Sequence, residues 1–213
     1  MKHPQHIVAI PADLVSNRVN GWSVTDIKGT DLIIGCRHHL EDNEAYRQVI
    51  PVTVLVKGKS IWCYYRGNSG GEARLYGKLA CALGGHWDLK DLSVNSDSVI
   101  DYDNSINNAA LRELSEEITI TGEVMRAHAY KKLLAVDDTP VDRVHVAVIT
   151  FFFMSEDSTV TPKEDDLIEE GWIDINECAI NYDNRETWTD YIFDALDELH
   201  VSDLINEGKI KNV

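Results

Sequence analysis

"LRELSEEITI", residues 111–120, sets three glutamates and an arginine within six consecutive positions. Glu113, Glu116 and Glu117 repel one another, so either this is a solvated helix surface or something positive sits between the carboxylates. Each residue of a helix advances about 100° around its axis, which puts Glu117 about 40° and Glu116 about −60° from Glu113. The three carboxylates therefore share one face. Leu111, Leu114 and Ile118 fall at roughly 100° to 160°, an apolar stripe suited to burial against a sheet. Arg112 lies one turn before Glu116, close enough to hold a carboxylate. Like charges at these spacings cost only a few tenths of a kcal/mol each on an exposed helix. A solvated surface tolerates that, and so does a site for Mg²⁺ or Mn²⁺, hard cations that prefer oxygen ligands. The segment alone leaves both readings open.

Outward from this helix, expected over about 105–118, the chain alternates strand and helix patterns. "VIPVTVLVKGKSIWCYYRG" (49–67) reads as two β-rich runs around Lys57-Gly58-Lys59, a hairpin. The Gly-rich "GNSGGEARLYG" follows, then "KLACALGGHWDL" with its Gly84-Gly85 pair. Asn- and Asp-rich residues fill 93–108 and predict a loop. "EVMRAHAYKKLLAV" reads as extended, "DDTP" as a turn, and "RVHVAVITFFFM" as a strand buried on both faces. "GWIDI" is a further short strand. Trp188, Tyr191, Ile192, Ala195, Leu196 and Leu199 recur at the spacing of one helical face, predicting an amphipathic helix over 186–200. The pattern predicts α/β layers, helices on a mixed sheet. Residues 1–45 are the least readable, and "HHLEDNEAYRQ" reads as loop or short helix.

The 213 residues suit one substantial core. Twenty basic against thirty-six acidic side chains give a net charge of −16, which argues against a surface that follows a nucleic-acid polymer by charge. A phosphorylated small molecule is not excluded, because bound divalent cations reverse the local sign. Cys36, Cys63, Cys81 and Cys178 form no CxxC pair and read as free thiols. The opening "MKHPQHIVAI" lacks a signal-peptide core, and the longest apolar run, "VAVITFFFM", is far short of the ~20 residues a membrane helix needs. The expectation is a reduced, cytoplasmic protein with no membrane partner.

Arg112, Glu113, Leu114, Glu116, Glu117 and Ile120 resemble the second half of the Nudix box, G-x5-E-x7-R-E-U-x-E-E-x-G-U, where U is a bulky aliphatic residue; Thr119 stands at its last glycine. "LYGKLACALGGHWD" resembles the strand that enters the box. "EAYRQVIPVTVLV", "GGEARLYGK", "VDRVHVAVITFFF", "EEGWIDINE" and "ETWTDYIFDAL" are similar, in order, to a bacterial and phage subgroup of Nudix phosphoesterases. The box departs upstream. Twenty-six residues separate Gly85 from Arg112 where the pattern has thirteen, an insertion of thirteen. Counted back from Arg112, its glycine and first glutamate fall on Ser98 and Asn104. That leaves the glutamate missing, with Asp101 or Asp103 as stand-ins.

The resemblance implies a single Nudix domain over 1–213, an α/β/α sandwich around a mixed β-sheet. It implies hydrolysis of a phosphoanhydride in a nucleoside di- or triphosphate or a nucleoside diphosphate derivative, dependent on Mg²⁺ or Mn²⁺. Glu116 and Glu117 would hold the metal, with Glu113 a third ligand or a member of the acid–base set. Gly85 would offer a carbonyl near it, Arg112 would orient the glutamates, and the general base would be a box glutamate or one from a later loop. Glu169 and Glu170, with Glu164 behind them, are late-loop candidates for the general base or, for Glu170, a further metal ligand; an ordinary acidic turn explains them equally. Arg66, Arg74 and His86 are candidates for contacting substrate, against exposed loop arginines and a structural strand-end histidine. His145, Trp62, Tyr64, Tyr65 and Trp188 read as packing. The resemblance allows a homodimer. Two rivals stand beside the hydrolase: a non-catalytic binding or regulatory module with a decayed box, and a prenyl-diphosphate isomerase, which would need Cys81 reactive near the metal.

Overall fold

The structure, a computed structural model, describes residues 5–68, 75–181 and 184–199. Arg74 lies outside the described residues. In chain order the elements are β1 (His6–Pro11), β2 (Arg18–Val19), β3 (Trp22–Ser23), β4 (Ile33–Cys36), α1 (Arg37–Leu40), β5 (Tyr46–Lys57), β6 (Ser60–Arg66), β7 (Leu79–Ala80), β8 (Leu83–Gly84) and α2 (Tyr102–Glu117). There follow β9 (Ile118–Thr121), β10 (Val124–Leu134), β11 (His145–Met154), β12 (Thr159–Pro162), β13 (Leu167–Asp174), α3 (Ile175–Asn181) and α4 (Thr187–Glu198). The fold is α/β, a large mixed sheet with helices. Two compact units are distinguishable, Met1–Val52 with Gly84–Glu113 and Tyr130–Ile149, and Thr53–Leu83 with Leu114–Ala129 and Thr150–Val213.

In the first unit β1 pairs antiparallel with β4, Val8 opposite Ile34, and with the start of β5, Ala9 opposite Gln48. β3 pairs with β2 and with the end of β10, Leu134 opposite Trp22. Val8, Ile10, Val49, Trp87, Leu133 and Val146 form its core, and the first half of α2 adds Ile106 and Ala109. The unreadable "HHLEDNEAYRQ" divides into α1 and the opening of β5.

In the second unit β6 turns back on β5 through Gly58-Lys59, the expected hairpin; Val56 faces Ile61 and Lys57 faces Ser60. Gly58 adopts φ +54°, a left-handed conformation glycine takes without a Cβ clash. β6 also pairs with β7 and with β13, and β9 with β12. Leu55, Trp62, Tyr64, Ala80, Leu83, Met154 and Leu167 make the core, joined by Leu114 and Ile118. In α4, Ile192, Ala195 and Leu196 are buried as the periodicity predicts, whereas Trp188 is only partly buried.

Two expectations about α2 are corrected. The helix begins at Tyr102 rather than near 105, because Asp101 starts it: its Oδ1 accepts from the Asn104 backbone N–H at 3.2 Å. Asp101 is therefore a helix cap and no stand-in for a missing glutamate. Asp103 lies in the first turn, where the helix dipole favours a carboxylate. The apolar stripe also omits Leu111, which is 55% exposed. The Asn-rich stretch before the helix is a small hairpin, with Val94 bridged to Ile100 and Asn95 N–H donating to Val99 C=O.

Candidate active site

Arg112 is held by a fork. Its Nε donates to Asp91 Oδ1 at 2.8 Å and its Nη2 to Asp91 Oδ2 at 2.7 Å, the bidentate geometry a planar guanidinium favours. Nη1 donates to Glu113 Oε1 at 2.6 Å, and Nη2 also reaches the His86 carbonyl at 2.9 Å. Asp91, 5% exposed, ends a short 3-10 turn over Leu89–Asp91, where its Oδ2 also accepts from the Asp88 backbone N–H. Two carboxylates around one guanidinium, Asp91 before Glu113, keep Arg112 more firmly protonated than a free arginine.

Glu113 is no solvated side chain. It is 15% exposed, and its carboxylate packs against Gly85 so closely that a Cβ there would come within 2.7 Å of it. Glycine at 85 is thus a requirement of contact: any side chain displaces Glu113. Gly84 before it adopts φ +155°, and a Cβ would sit 2.1 Å from the Pro51 carbonyl oxygen. The Gly-Gly pair lets two backbones and one carboxylate approach together.

His86 turns inward. Its Nε2 lies 2.9 Å from Gln48 Oε1, and its ring meets His145 edge-on at 5.6 Å. Burial, then the charge of Arg37, pushes its pKa down to about 3. A neutral, internally bonded histidine fits the structural alternative. His145, 9% exposed with Nδ1 against Val141 C=O at 2.7 Å, is a satisfied core histidine. Burial lowers its pKa too.

In the second unit Glu117 is 5% exposed, whereas Glu116 is exposed. A buried carboxylate costs several kcal/mol unless partnered, so Glu117 does not belong to a solvated helix face. Tyr64 and Arg66, on the face of β6 that Leu114 and Ile118 pack toward, lie within its electrostatic reach. Arg66 is engaged in its own unit, donating from Nε to Glu186 Oε1 at 2.7 Å. The end of α2 is tied by Lys163, whose N–H donates to Glu117 C=O at 2.8 Å and whose Nζ donates to Ser115 C=O.

β13 decides between the two late glutamates. Glu169 pairs with Tyr64, and the register then shifts so that Gly171, at φ +102°, pairs with Cys63. Directly paired residues share a sheet face. Glu169 therefore joins Tyr64 on the face toward α2, while Glu170, in the bulge, acts electrostatically on Cys63 and Tyr65 across the sheet. The pairing thus sets Glu169 beside Tyr64 and leaves Glu170 at the bulge. A bulge cannot be read from alternation, so the sequence alone does not separate the two. Glu164 lies in the turn before β13, its C=O accepting from Leu167 N–H.

Residues 98–196 match the NUDIX domain family. That match and the fold of its structural neighbours support membership of the Nudix superfamily. It is 27% identical over 163 residues to Protein YmaB of Bacillus subtilis (strain 168), covering 76% of each chain. The crystal structure of Tm1382, classed with the Nudix hydrolases, is similar in fold, with a TM-score of 0.66 and 18% identity over 92% of this chain and 99% of that one.

As a Nudix box the motif is more complete than a count back from Arg112 suggests. The box places its first acid six positions after its first glycine, and six after Gly85 is Asp91. The thirteen inserted residues all fall between Asp91 and Arg112, the stretch that forms the hairpin and the early start of α2. Counting forward from Gly85 would have found Asp91. The backward count to Asn104 carried the whole insertion and missed it.

The Nudix-type donor set, three carboxylates of α2 and the Gly85 carbonyl, is all hard oxygen, suited to Mg²⁺ or Mn²⁺. Among the described residues no three His, Cys, Asp or Glu side chains converge in ligating geometry as they stand. Glu113 is turned to Arg112, and a change of its rotamer would release it while Arg112 keeps both bonds to Asp91. By donor chemistry alone the set suits such a cation. No described helix is long and apolar enough to cross a membrane.

Proposed function

We propose that this Nudix protein hydrolyses a phosphoanhydride bond in a nucleoside di- or triphosphate or a nucleoside diphosphate derivative, using Mg²⁺ or Mn²⁺ held by Glu113, Glu116 and Glu117 with the Gly85 carbonyl. The observation that carries this reading is the burial of Glu113 and Glu117 on a helix whose arginine is independently clamped by Asp91. Bound there, the cation would neutralise phosphate oxygens and lower the pKa of a water.

The chain's own residues have distinct tasks. Arg112, fixed by Asp91, orients Glu113 and holds the His86 carbonyl, so the Gly85–His86 backbone keeps its place. Glu116, exposed, is the acid that would meet a substrate-borne cation. Glu117 is the ligand whose charge Arg66 and Tyr64 influence. Glu169 is the late carboxylate best supported as a water-deprotonating base. Arg66, paired with Glu186, acts by charge at a distance; Arg74 and His86 stay proposals as substrate contacts, His86 the weaker because it bonds to Gln48. The protein works on a small phosphorylated substrate, and its acidity disfavours a nucleic-acid polymer.

A decayed binding module loses its main support once Asp91 supplies the upstream acid. The isomerase reading fails at Cys81, a fully buried thiol whose pKa burial pushes well up. The test is Mg²⁺- or Mn²⁺-dependent release of phosphate or a mononucleotide from a panel of nucleotides, sugar nucleotides and dinucleoside polyphosphates. Activity that Glu116→Gln and Glu117→Gln both retain would refute the assignment.

A further inference from the structure

Three buried cysteines, Cys63, Cys81 and Cys178, belong to the second unit, and none forms a disulfide. Two of them face each other. Cys63 on β6 and Cys178 on α3, 115 positions apart in the chain, bring their Sγ atoms within 3.9 Å. A disulfide needs about 2.05 Å, a gap that side-chain rotation with a small shift of α3 can close. Neither thiol serves the proposed hydrolysis, because strand alternation turns Cys63 to the face of β6 opposite Tyr64. The site also differs from a packed pair of inert thiols in one respect: each sulfur is the other's hydrogen-bonding neighbour, so neither is screened by hydrocarbon alone.

We propose that Cys63 and Cys178 form a redox modification site, a dithiol that hydrogen peroxide converts into a disulfide joining β6 to α3. Cys178 is the attacking sulfur. Its hydrogen bond with Cys63 lowers its pKa, helped by the charge of Arg185, whose Nη1 also donates to the Cys178 carbonyl at 3.2 Å. The same hydrogen bond, with burial, raises Cys63, which stays protonated until it resolves. In the first step the Cys178 thiolate attacks one peroxide oxygen, the O–O bond breaks, hydroxide leaves and Cys178 becomes a sulfenic acid. In the second, Cys63 Sγ attacks Cys178 Sγ, the S–O bond breaks, and the thiol proton leaves with the hydroxyl as water. Two electrons pass from the sulfurs to peroxide, and two thiols and one peroxide yield one disulfide and two waters. Peroxide is small enough to enter through local opening of α3, a seven-residue helix.

The experiment treats the full folded chain with a small molar excess of hydrogen peroxide, blocks remaining thiols after denaturation, and measures intact mass and a non-reducing peptide map. The expected result is loss of 2 Da, two alkylatable thiols instead of four, a linked pair of peptides carrying Cys63 and Cys178, and reversal by dithiothreitol. Cys36→Ser should oxidise identically, and Cys178→Ser should retain Cys63 as a free thiol. A linkage through Cys81 or Cys36 would overturn the proposal. So would Cys63 and Cys178 both remaining free thiols in wild type at peroxide levels that oxidise the half-exposed Cys36, or stable over-oxidation of Cys178 in place of the bridge. The wild-type map decides even where a variant fails to fold.

Discussion

Asp91 and Arg112, twenty-one positions apart, share a two-pronged ion pair at 2.8 and 2.7 Å, and Asp91 has only 5% of its surface exposed. This pair lets Glu113 leave the guanidinium for another partner without stranding a buried positive charge.

Replacing Asp91 tests that relation. Asp91→Asn leaves Arg112 leaning on Glu113, so Glu113 is retained by the arginine and divalent-dependent turnover falls about 10- to 100-fold, the range seen when a residue supporting a metal ligand is lost. Removing one partner of a buried pair also destabilises by roughly 3 kcal/mol. Asp91→Glu restores part of both. Turnover against metal concentration and urea unfolding check it.

Gly85→Ala places a Cβ about 2.7 Å from the Glu113 carboxylate. The side chain must move, and the expected outcome is a weaker response to Mg²⁺ or Mn²⁺, with about tenfold more metal needed for half activation, while the fold is kept. A metal titration of activity, beside a circular dichroism melt, reads both effects.

Arg66 separates support from substrate contact. Arg66→Ala strands Glu186, 6% exposed, at a cost of roughly 3 kcal/mol. At about 2–4 °C per kcal/mol for a chain of this size, the melting midpoint drops by roughly 6 °C or more. Arg66→Ala with Glu186→Gln recovers much of that loss. A rise in KM with an unchanged midpoint would instead make Arg66 a substrate contact.

The buried histidines set the acid limb of stability. His86, held near pKa 3, and His145, also lowered, bind fewer protons folded than unfolded, where a histidine titrates near 6.5. Their contribution is fully present above about pH 6.5 and is lost as pH falls from there toward about 3. Urea midpoints should decline from pH 7.5 to pH 5, and His86→Gln should flatten that decline. An unchanged slope in the variant would count against the assignment.

Much of the fold was legible because its signals are local. The hairpin at Gly58-Lys59, the buried run of β11 and the face of α4 follow from periodicity and turn chemistry. The carboxylates of α2 were legible for the same reason, since helical spacing alone sets Glu113, Glu116 and Glu117 on one side. What escaped depended on chain-distant pairing. Asp91 finds Arg112 across an insertion of unreadable length, and the bulge that parts Glu169 from Glu170 exists only in the pairing of β13 with β6. Leu111 reads as a core residue by azimuth, yet it is exposed, because which side of a helix is covered depends on chain-distant packing.

The central claim is that the acids of α2 hold a divalent cation. The most direct test is titration of the full chain with Mn²⁺, followed by the paramagnetic resonance signal of the free ion, for wild type, Glu116→Gln and Glu117→Gln. The account predicts saturable binding by wild type and affinity weakened roughly tenfold or more in each variant. Wild-type binding that neither substitution alters would contradict it, as would wild type leaving all the Mn²⁺ free.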